Sequence, residues 1–193
     1  ASSNLGLVIN STGIGYADEQ EIVYRNGAKP NDLLIVSGDL GGAYFGLQIL
    51  ERENIAFKSN TNLQPDQAAF SYILERQLKP EARTDVKGLL KEMGIQPTSL
   101  IDISDGLASE IIHLSQQSKV GFTIYEDKIP MDGQVLTTAE EFGINPVTGV
   151  LNGGEDYELL FTIPITDADK ILHNPNFSII GHATVGMNNV LVT

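Results

Sequence analysis

Cysteine and tryptophan are absent from the 193 residues, and cations are scarce: 12 Lys and Arg stand against 25 Asp and Glu, a formal net charge of −13. Without cysteine there are no disulfides, no thiolate metal sites and no thiol nucleophile. The shortage of basic side chains argues against a nucleic-acid partner, because phosphate backbones are held by clustered Lys and Arg. No apolar run approaches the roughly 18 residues that cross a bilayer. The opening Ala1-Ser2-Ser3-Asn4 lacks the charged and apolar regions of a secretory signal. The expectation is a cytoplasmic globular protein with neither membrane nor nucleic acid among its partners. With 41% hydrophobic and 19% charged residues the chain has the composition of a folded domain, and its length suits one ordinary domain or two small ones. An acidic chain still binds phosphates when a divalent cation stands between the anions, which requires carboxylates gathered at one place.

Strand-like and helix-like segments alternate along the chain, separated by Gly and Pro. Residues 6–14 alternate as a half-buried strand, and Tyr24 to Asp32 form a turn-rich connector with a plausible domain boundary. Leu33 to Val36 predict a short strand that ends in Gly38-Asp39-Leu40-Gly41-Gly42, followed by a helix with Ala43, Leu47 and Leu50 on one face. Pro65 predicts the first turn of a helix carrying Phe70, Ile73, Leu74 and Leu78. Pro80 starts the next helix, whose stripe runs from Ala82 through Val86, Leu89, Leu90 and Met93 to a Gly94 stop. Leu100 to Ile103 read as a buried strand, and Leu107, Ile111 and Leu114 as the helix after it. Val120 to Tyr125 and Glu158 to Ile163 are further strands, Phe177 to Ile180 a weaker one. This mixture of strands and helices specifies a layered α/β or α+β domain.

Two segments gather carboxylates. In Ile101-Asp102-Ile103-Ser104-Asp105-Gly106-Leu107, strand alternation points Asp102 and Ser104 the same way, and Asp105 stands where a helix begins. Such oxygen donors suit Mg²⁺, which keeps several waters and takes one or two carboxylates plus phosphate. Equally, Ser104 or Asp105 is a plain helix cap, although that leaves Asp102 unexplained inside an apolar strand. In Gly153-Gly154-Glu155-Asp156-Tyr157-Glu158, three acids follow paired glycines, either as a solvated strand entry or as a second wall of one cation site. Gly38 to Gly42 reads more readily as a tight strand-to-helix turn than as a phosphate loop. Arg25 is placed either to pair with a phosphate or simply on the surface. The histidines show no metal-ligand spacing, and no serine has a nucleophile context.

Together, residues 101–107 and 153–161 closely resemble signatures of the thiamine-monophosphate kinase family. Arg25-Asn26-Gly27-Ala28-Lys29-Pro30, Gly38 to Gly41, and Gln77 to Arg83 also fall in the family's order. The wider superfamily includes aminoimidazole ribonucleotide synthetase, selenophosphate synthetase and a hydrogenase maturation protein. The resemblance implies an α+β layered domain with helices packed on a mixed β-sheet. It also implies transfer of the γ-phosphoryl group of ATP to thiamine monophosphate, with Mg²⁺, in an enzyme expected to be a homodimer. Carried over residue by residue, it makes Asp102 and Asp105 metal ligands, Arg25 and Ser104 ATP contacts, and Glu155 the residue nearest the thiamine substrate. No covalent nucleophile or strong base is implied.

Family members also carry an amino-terminal domain with acidic metal-binding motifs, and a C-terminal aromatic residue that contacts thiamine; neither is found in this chain. The expectation is therefore that 1–23 is the last strand of that other domain and 24–193 the C-terminal domain, inactive by itself. Another ATP-using enzyme of the superfamily, or a non-catalytic nucleotide- or Mg²⁺-binding module, are the alternatives.

Overall fold

The computed structural model describes residues 2–3, 6–7, 9–60 and 68–193, and no side chains before residue 9. Its strands and helices follow in chain order as β1 (Ser2–Ser3), β2 (Gly6–Leu7), β3 (Leu33–Ser37), α1 (Gly42–Ser59), α2 (Ser71–Leu78), α3 (Asp85–Glu92), β4 (Ser99–Asp102) and α4 (Leu107–Ser118). After these come β5 (Gly121–Tyr125), α5 (Gly133–Phe142), α6 (Pro146–Asn152), β6 (Leu159–Ile163), α7 (Ala168–Ile171), β7 (Phe177–Thr184) and β8 (Val190–Val192). Six strands make one sheet in the order β4-β6-β3-β7-β5-β8. Every neighbouring pair is antiparallel except β5 with β8, so the sheet is mixed.

Period-two alternation sends the strands' apolar side chains to opposite faces. Leu34, Val36, Ile101, Leu160 and Ile180 face α4 and α6, meeting Leu107, Ile111, Leu114, Val147 and Val150. Ile35, Phe161, Ile163 and Phe177 face the other way, onto Val86 and Leu90 of α3 and Ile171 of α7. A third cluster joins Phe45 and Ile49 of α1 with Ile73 and Leu74 of α2 and Val135 and Ala139 of α5. Each fully buried Leu, Ile or Phe contributes roughly 1.5–3 kcal/mol, so the sheet with helices on both faces is the core. The expected α+β layered fold is the observed one.

Several local expectations change. Only Gly6–Leu7 of the strand read over 6–14 is a strand, paired with Ser2–Ser3; Leu5 lies outside the described residues, and Ile9, Ile14 and Tyr16 are exposed. The buried face of α1 is Ala43, Phe45 and Ile49, while Leu47 is exposed, because the helix packs toward both α2 and α5. Pro65 lies outside the described residues, and the helix expected after it is α2. Helix α3 begins only at Asp85, leaving Pro80 to Arg83 as a loop. Phe177 to Ile180 is not a weak strand but part of β7, at eight residues the longest among those described and hydrogen-bonded on both sides. Helices α5 and α6 were not foreseen, although Asp132 caps one and Asn145-Pro146 starts the other.

Candidate functional site

The two acidic segments lie side by side at the end of the sheet. Asp102, the last residue of β4, stands opposite Leu159 of β6. Beyond them the chains remain bonded: Ile103 N–H donates to Glu158 O (2.7 Å), Tyr157 N–H to Ile103 O (2.9 Å) and Glu155 N–H to Ser104 O (2.8 Å). This close approach needs glycine. A Cβ on Gly154 (φ +69°) would lie 2.6 Å from Ser104 O, and one on Gly106 (φ +108°) 2.7 Å from Leu151 O.

The acids of the second segment alternate between two environments. Asp156 and Glu158 are buried. Asp156 accepts from Gly41 N–H (2.8 Å) and Ala43 N–H (3.3 Å), so its carboxylate caps α1 from across the molecule. Burial pushes its pKa up to about 6 against the pull of those amides and of Arg76. Glu158 accepts from Ser37 Oγ (2.5 Å), Arg76 Nη1 (2.9 Å) and Arg83 Nη1 (2.5 Å). Arg76 also donates to Asp39 O and Asp156 O. The turn at Gly38–Gly42 therefore has two of its amides occupied by Asp156, which makes it a structural turn. Asp39 accepts from Tyr72 Oη (2.6 Å), and burial raises the Asp39 carboxyl above its ordinary range.

Glu155 and Tyr157, between and beside these buried acids, are exposed and left-handed (φ +62° and +52°). Non-glycine residues occupy that region at a cost of roughly 1–2 kcal/mol each, and here the flanking hydrogen bonds hold them there. Glu155 accepts from Gln77 Nε2 (3.2 Å).

The first segment is similarly divided. Asp102 and Asp105 are exposed and Ser104 half-buried, whereas Ile101, Ile103 and Leu107 are in the core. Asp102 is thus not a buried carboxylate in an apolar strand: it sits at the strand's end with half its side chain in solvent. Neither Ser104 nor Asp105 caps α4. Its cap is Gly106, which lacks a side chain, and buried Glu110 accepts the Asp105 amide (3.2 Å). The oxygens of Asp102, Ser104 and Asp105 are therefore not committed to the helix.

Arg25 is brought to the same place. Leu100 N–H donates to Tyr24 O, and Ser118 Oγ accepts from Gly27 and Ala28 N–H, so the connector runs beside β4. Arg25 Nη2 then lies 4.0 Å from Asp102 Oδ1. On the other side of Asp102 a cleft of ≈ 330 Å³ opens between it, the Pro80–Arg83 loop, Tyr157 and Leu159. Among the described residues no group of three or more His, Asp or Glu side chains converges as a metal cage. Two exposed carboxylates with a hydroxyl beside them do match the sparse donor set of Mg²⁺, which completes its shell with water and phosphate. All five residues singled out from the sequence thus lie along one edge. Tyr157, the supporting role of Glu158 and Arg76, and Glu110 were missed; alternation after Gly154 is the signal that separates Asp156 and Glu158 from Glu155 and Tyr157.

No protein-family model matches the chain. Among curated proteins, the chain is 34% identical over 163 residues to thiamine-monophosphate kinase of Aquifex aeolicus, covering 84% of this chain and 48% of the relative. It is 30% identical over 195 residues to a hydrogenase expression/formation protein of Methanocaldococcus jannaschii, covering 96% of this chain and 52% of that one. Among solved structures, AaThiL complexed with AMPPCP and TMP superposes with a TM-score of 0.72 at 32% identity, over 88% of this chain and 50% of that chain. The chain spans about half the length of the relatives it matches. The resemblance read from four motifs thus extends over most of the chain and to its fold.

Proposed function

We propose that this chain is the C-terminal part of a thiamine-monophosphate kinase, which phosphorylates thiamine monophosphate to thiamine diphosphate with ATP. The observation that carries this reading is the clasp between residues 102–105 and 153–158, which leaves Asp102, Ser104, Asp105 and Glu155 open along one edge beside Arg25. A relative 34% identical over 84% of this chain bears that enzyme's name, and a structural neighbour is complexed with AMPPCP and TMP.

The reaction moves one phosphoryl group in line. An acceptor phosphate oxygen attacks the γ-phosphorus, the bond to the β,γ-bridging oxygen breaks, and ADP leaves. A phosphate monoester is largely dianionic near neutral pH, so no strong general base is needed; the barrier lies in aligning two anions. Asp102 and Asp105 would hold Mg²⁺, whose charge, when it is bound, offsets that of the phosphates. Ser104 and Arg25 contact the nucleotide phosphates, and Glu155 orients the acceptor. The strained backbone at Glu155 and Tyr157 fixes that contact in advance.

Two exposed carboxylates and a hydroxyl form one wall of such a site. The other wall belongs to the half of the enzyme outside the matched region, so the 193 residues alone are inactive. Residues 1–23 go with that half as its last strand, 24–193 being the domain described here. The intact enzyme is a cytoplasmic homodimer.

The test mixes the purified chain with Mg²⁺, ATP and thiamine monophosphate, with and without the amino-terminal half of a homologous thiamine-monophosphate kinase. Thiamine diphosphate forming only in the mixture supports the reading; formation by the chain alone overturns the one-wall account. A second reading rests on the 30% identity to the hydrogenase expression/formation protein over nearly the whole chain. It keeps ATP and changes the acceptor. ATP consumption by the reconstituted protein without thiamine monophosphate being phosphorylated would favour it.

A further inference from the structure

The cleft beside Asp102 has an unusual lining. Pro80, Ala82 and Leu159 are apolar, and Tyr157, 37% exposed, is its one aromatic side chain. The charged residues in the lining are Glu81, Arg83 and Asp102. Arg83 is fully engaged elsewhere: Nε and Nη2 donate to the two Asp85 oxygens (3.0 Å each) and Nη1 to Glu158 (2.5 Å). Its charge is matched by two carboxylates and is not offered to the cleft. Glu81 makes no ion pair among the described residues, and Asp102 has only the half-exposed Arg25 at 4.0 Å. The cleft thus combines apolar walls, an aromatic ring and a net negative rim. Phosphates are disfavoured inside it, whereas a flat cation is favoured through contact with the aromatic face and the carboxylates.

We infer that this cleft is the subsite for the planar, positively charged heteroaromatic part of the acceptor, with Tyr157 as its aromatic wall and Glu81 as its counter-charge. The inference rests on the proposed kinase reading, in which the acceptor carries a quaternary ring nitrogen at some remove from its phosphate. The position of Asp102 fits: it closes one end of the cleft and belongs to the proposed cation edge, so a ligand whose ring lies in the cleft has its phosphate end beside that edge. The nucleotide enters from the Arg25 side. Tyr157 is held ready by its left-handed backbone and its N–H bond to Ile103. A strained exposed residue of this kind gains little for folding and is explained by contact with a ligand.

Calorimetric titration of the chain with thiamine, which has the ring cation but no phosphate, tests the site without turnover. Tyr157→Leu should weaken thiamine binding about tenfold, while Tyr157→Phe, which keeps the ring, stays within about twofold. Glu81→Gln should cost about threefold, and an analogue whose charged thiazolium is replaced by neutral thiophene about tenfold. Unchanged melting temperatures in the variants exclude collapse of the loop. Equal affinity of wild type and Tyr157→Leu, or of the charged and neutral rings, overturns the subsite and leaves the kinase reading standing. If neither thiamine nor its monophosphate binds, the kinase reading falls, and N-methylnicotinamide decides the subsite. Binding of that cation that depends on Tyr157 upholds it, and absence of binding overturns it.

Discussion

Within the four residues from Glu155 to Glu158, carboxylates serve two opposite purposes. Asp156 and Glu158 are buried among Ser37, Arg76, Arg83 and the first amides of α1. Glu155, like Asp102 and Asp105 across the clasp, is exposed. The buried pair fastens β3, α1, the loop after α2 and β6 together; the exposed set is left over for ligands. An acidic motif is therefore not a uniform site, and each of its residues must be assigned by the direction it faces. The division yields a ranked set of stability effects, large for the inward acids and close to zero for the outward ones.

The largest effect belongs to Glu158. Replacing it with Ala leaves Arg76 short of its main partner and Ser37 Oγ without its acceptor, while Arg83 keeps only Asp85. Breaking a buried ion pair in this way costs about 3–5 kcal/mol. Urea unfolding of the chain should show this as a lower midpoint at an unchanged slope. A loss below about 1 kcal/mol would mean that the network is not structural.

Asp156 comes next and is revealed by pH. Its folded pKa, pushed up to about 6 mainly by burial, lies above the unfolded value near 3.9. A carboxyl raised in this sense lends its stability fully below about pH 4, and that contribution is lost as the pH rises through about 6. The magnitude is on the order of 3 kcal/mol. Asp39, also raised mainly by burial, slopes the same way. Asp156→Asn should flatten the stability curve between pH 4 and 6, at a cost of about 1 kcal/mol for the weakened cap. An unchanged slope in that variant would assign the titration elsewhere.

The exposed acids follow. Glu155 pays for its φ of +62° with no buried contact. Glu155→Gly should leave stability unchanged or raise it by up to about 1 kcal/mol. In the reconstituted enzyme it should raise the KM for thiamine monophosphate while leaving that for ATP near wild type. Equal loss of both substrates would show that the turn, and not the side chain, had been doing the work.

How much of this was legible in the sequence follows from the same division. The sheet, α4 and the α+β layering come from strong local periodicity, as in Leu107, Ile111 and Leu114. The site edge was legible because its residues are close in sequence and in strand register. What escaped was set by distant partners. The cap of α1 is a carboxylate 115 positions away from Gly41, and Arg76 meets Glu158 across 82. Nothing local distinguishes such acids from solvated ones. Strand β7 was undervalued because Gly181 and His182 interrupt its apolar pattern, although its place between β3 and β5 makes it central. Helix α5 hid behind Thr137 and Thr138, one of which is exposed and the other fully buried. The strand read over 6–14 failed in the opposite direction, since alternation alone does not supply a neighbouring strand to pair with.

Asp102 carries the smallest expected effect on folding and the sharpest test of the comparison. Its only ion-pair partner among the described residues is Arg25 at 4.0 Å, with both side chains at least half exposed. Exposed pairs at that distance contribute roughly 0–0.5 kcal/mol, and in a chain of net charge −13 removing one more carboxylate relieves repulsion of similar size. Asp102→Asn should therefore unfold within about 0.5 kcal/mol of wild type, in a variant that keeps side-chain shape and strand register. Under the proposed function the same change removes a Mg²⁺ donor, so turnover of the reconstituted enzyme should fall strongly and require more Mg²⁺ for what remains. Glu158 should respond in the reverse order, with stability lost first and the Mg²⁺ requirement of the surviving folded fraction unchanged. If Asp102→Asn destabilises the fold as much as Glu158→Ala, or leaves the Mg²⁺ dependence where it was, then the outward acids are scaffold too and the division fails.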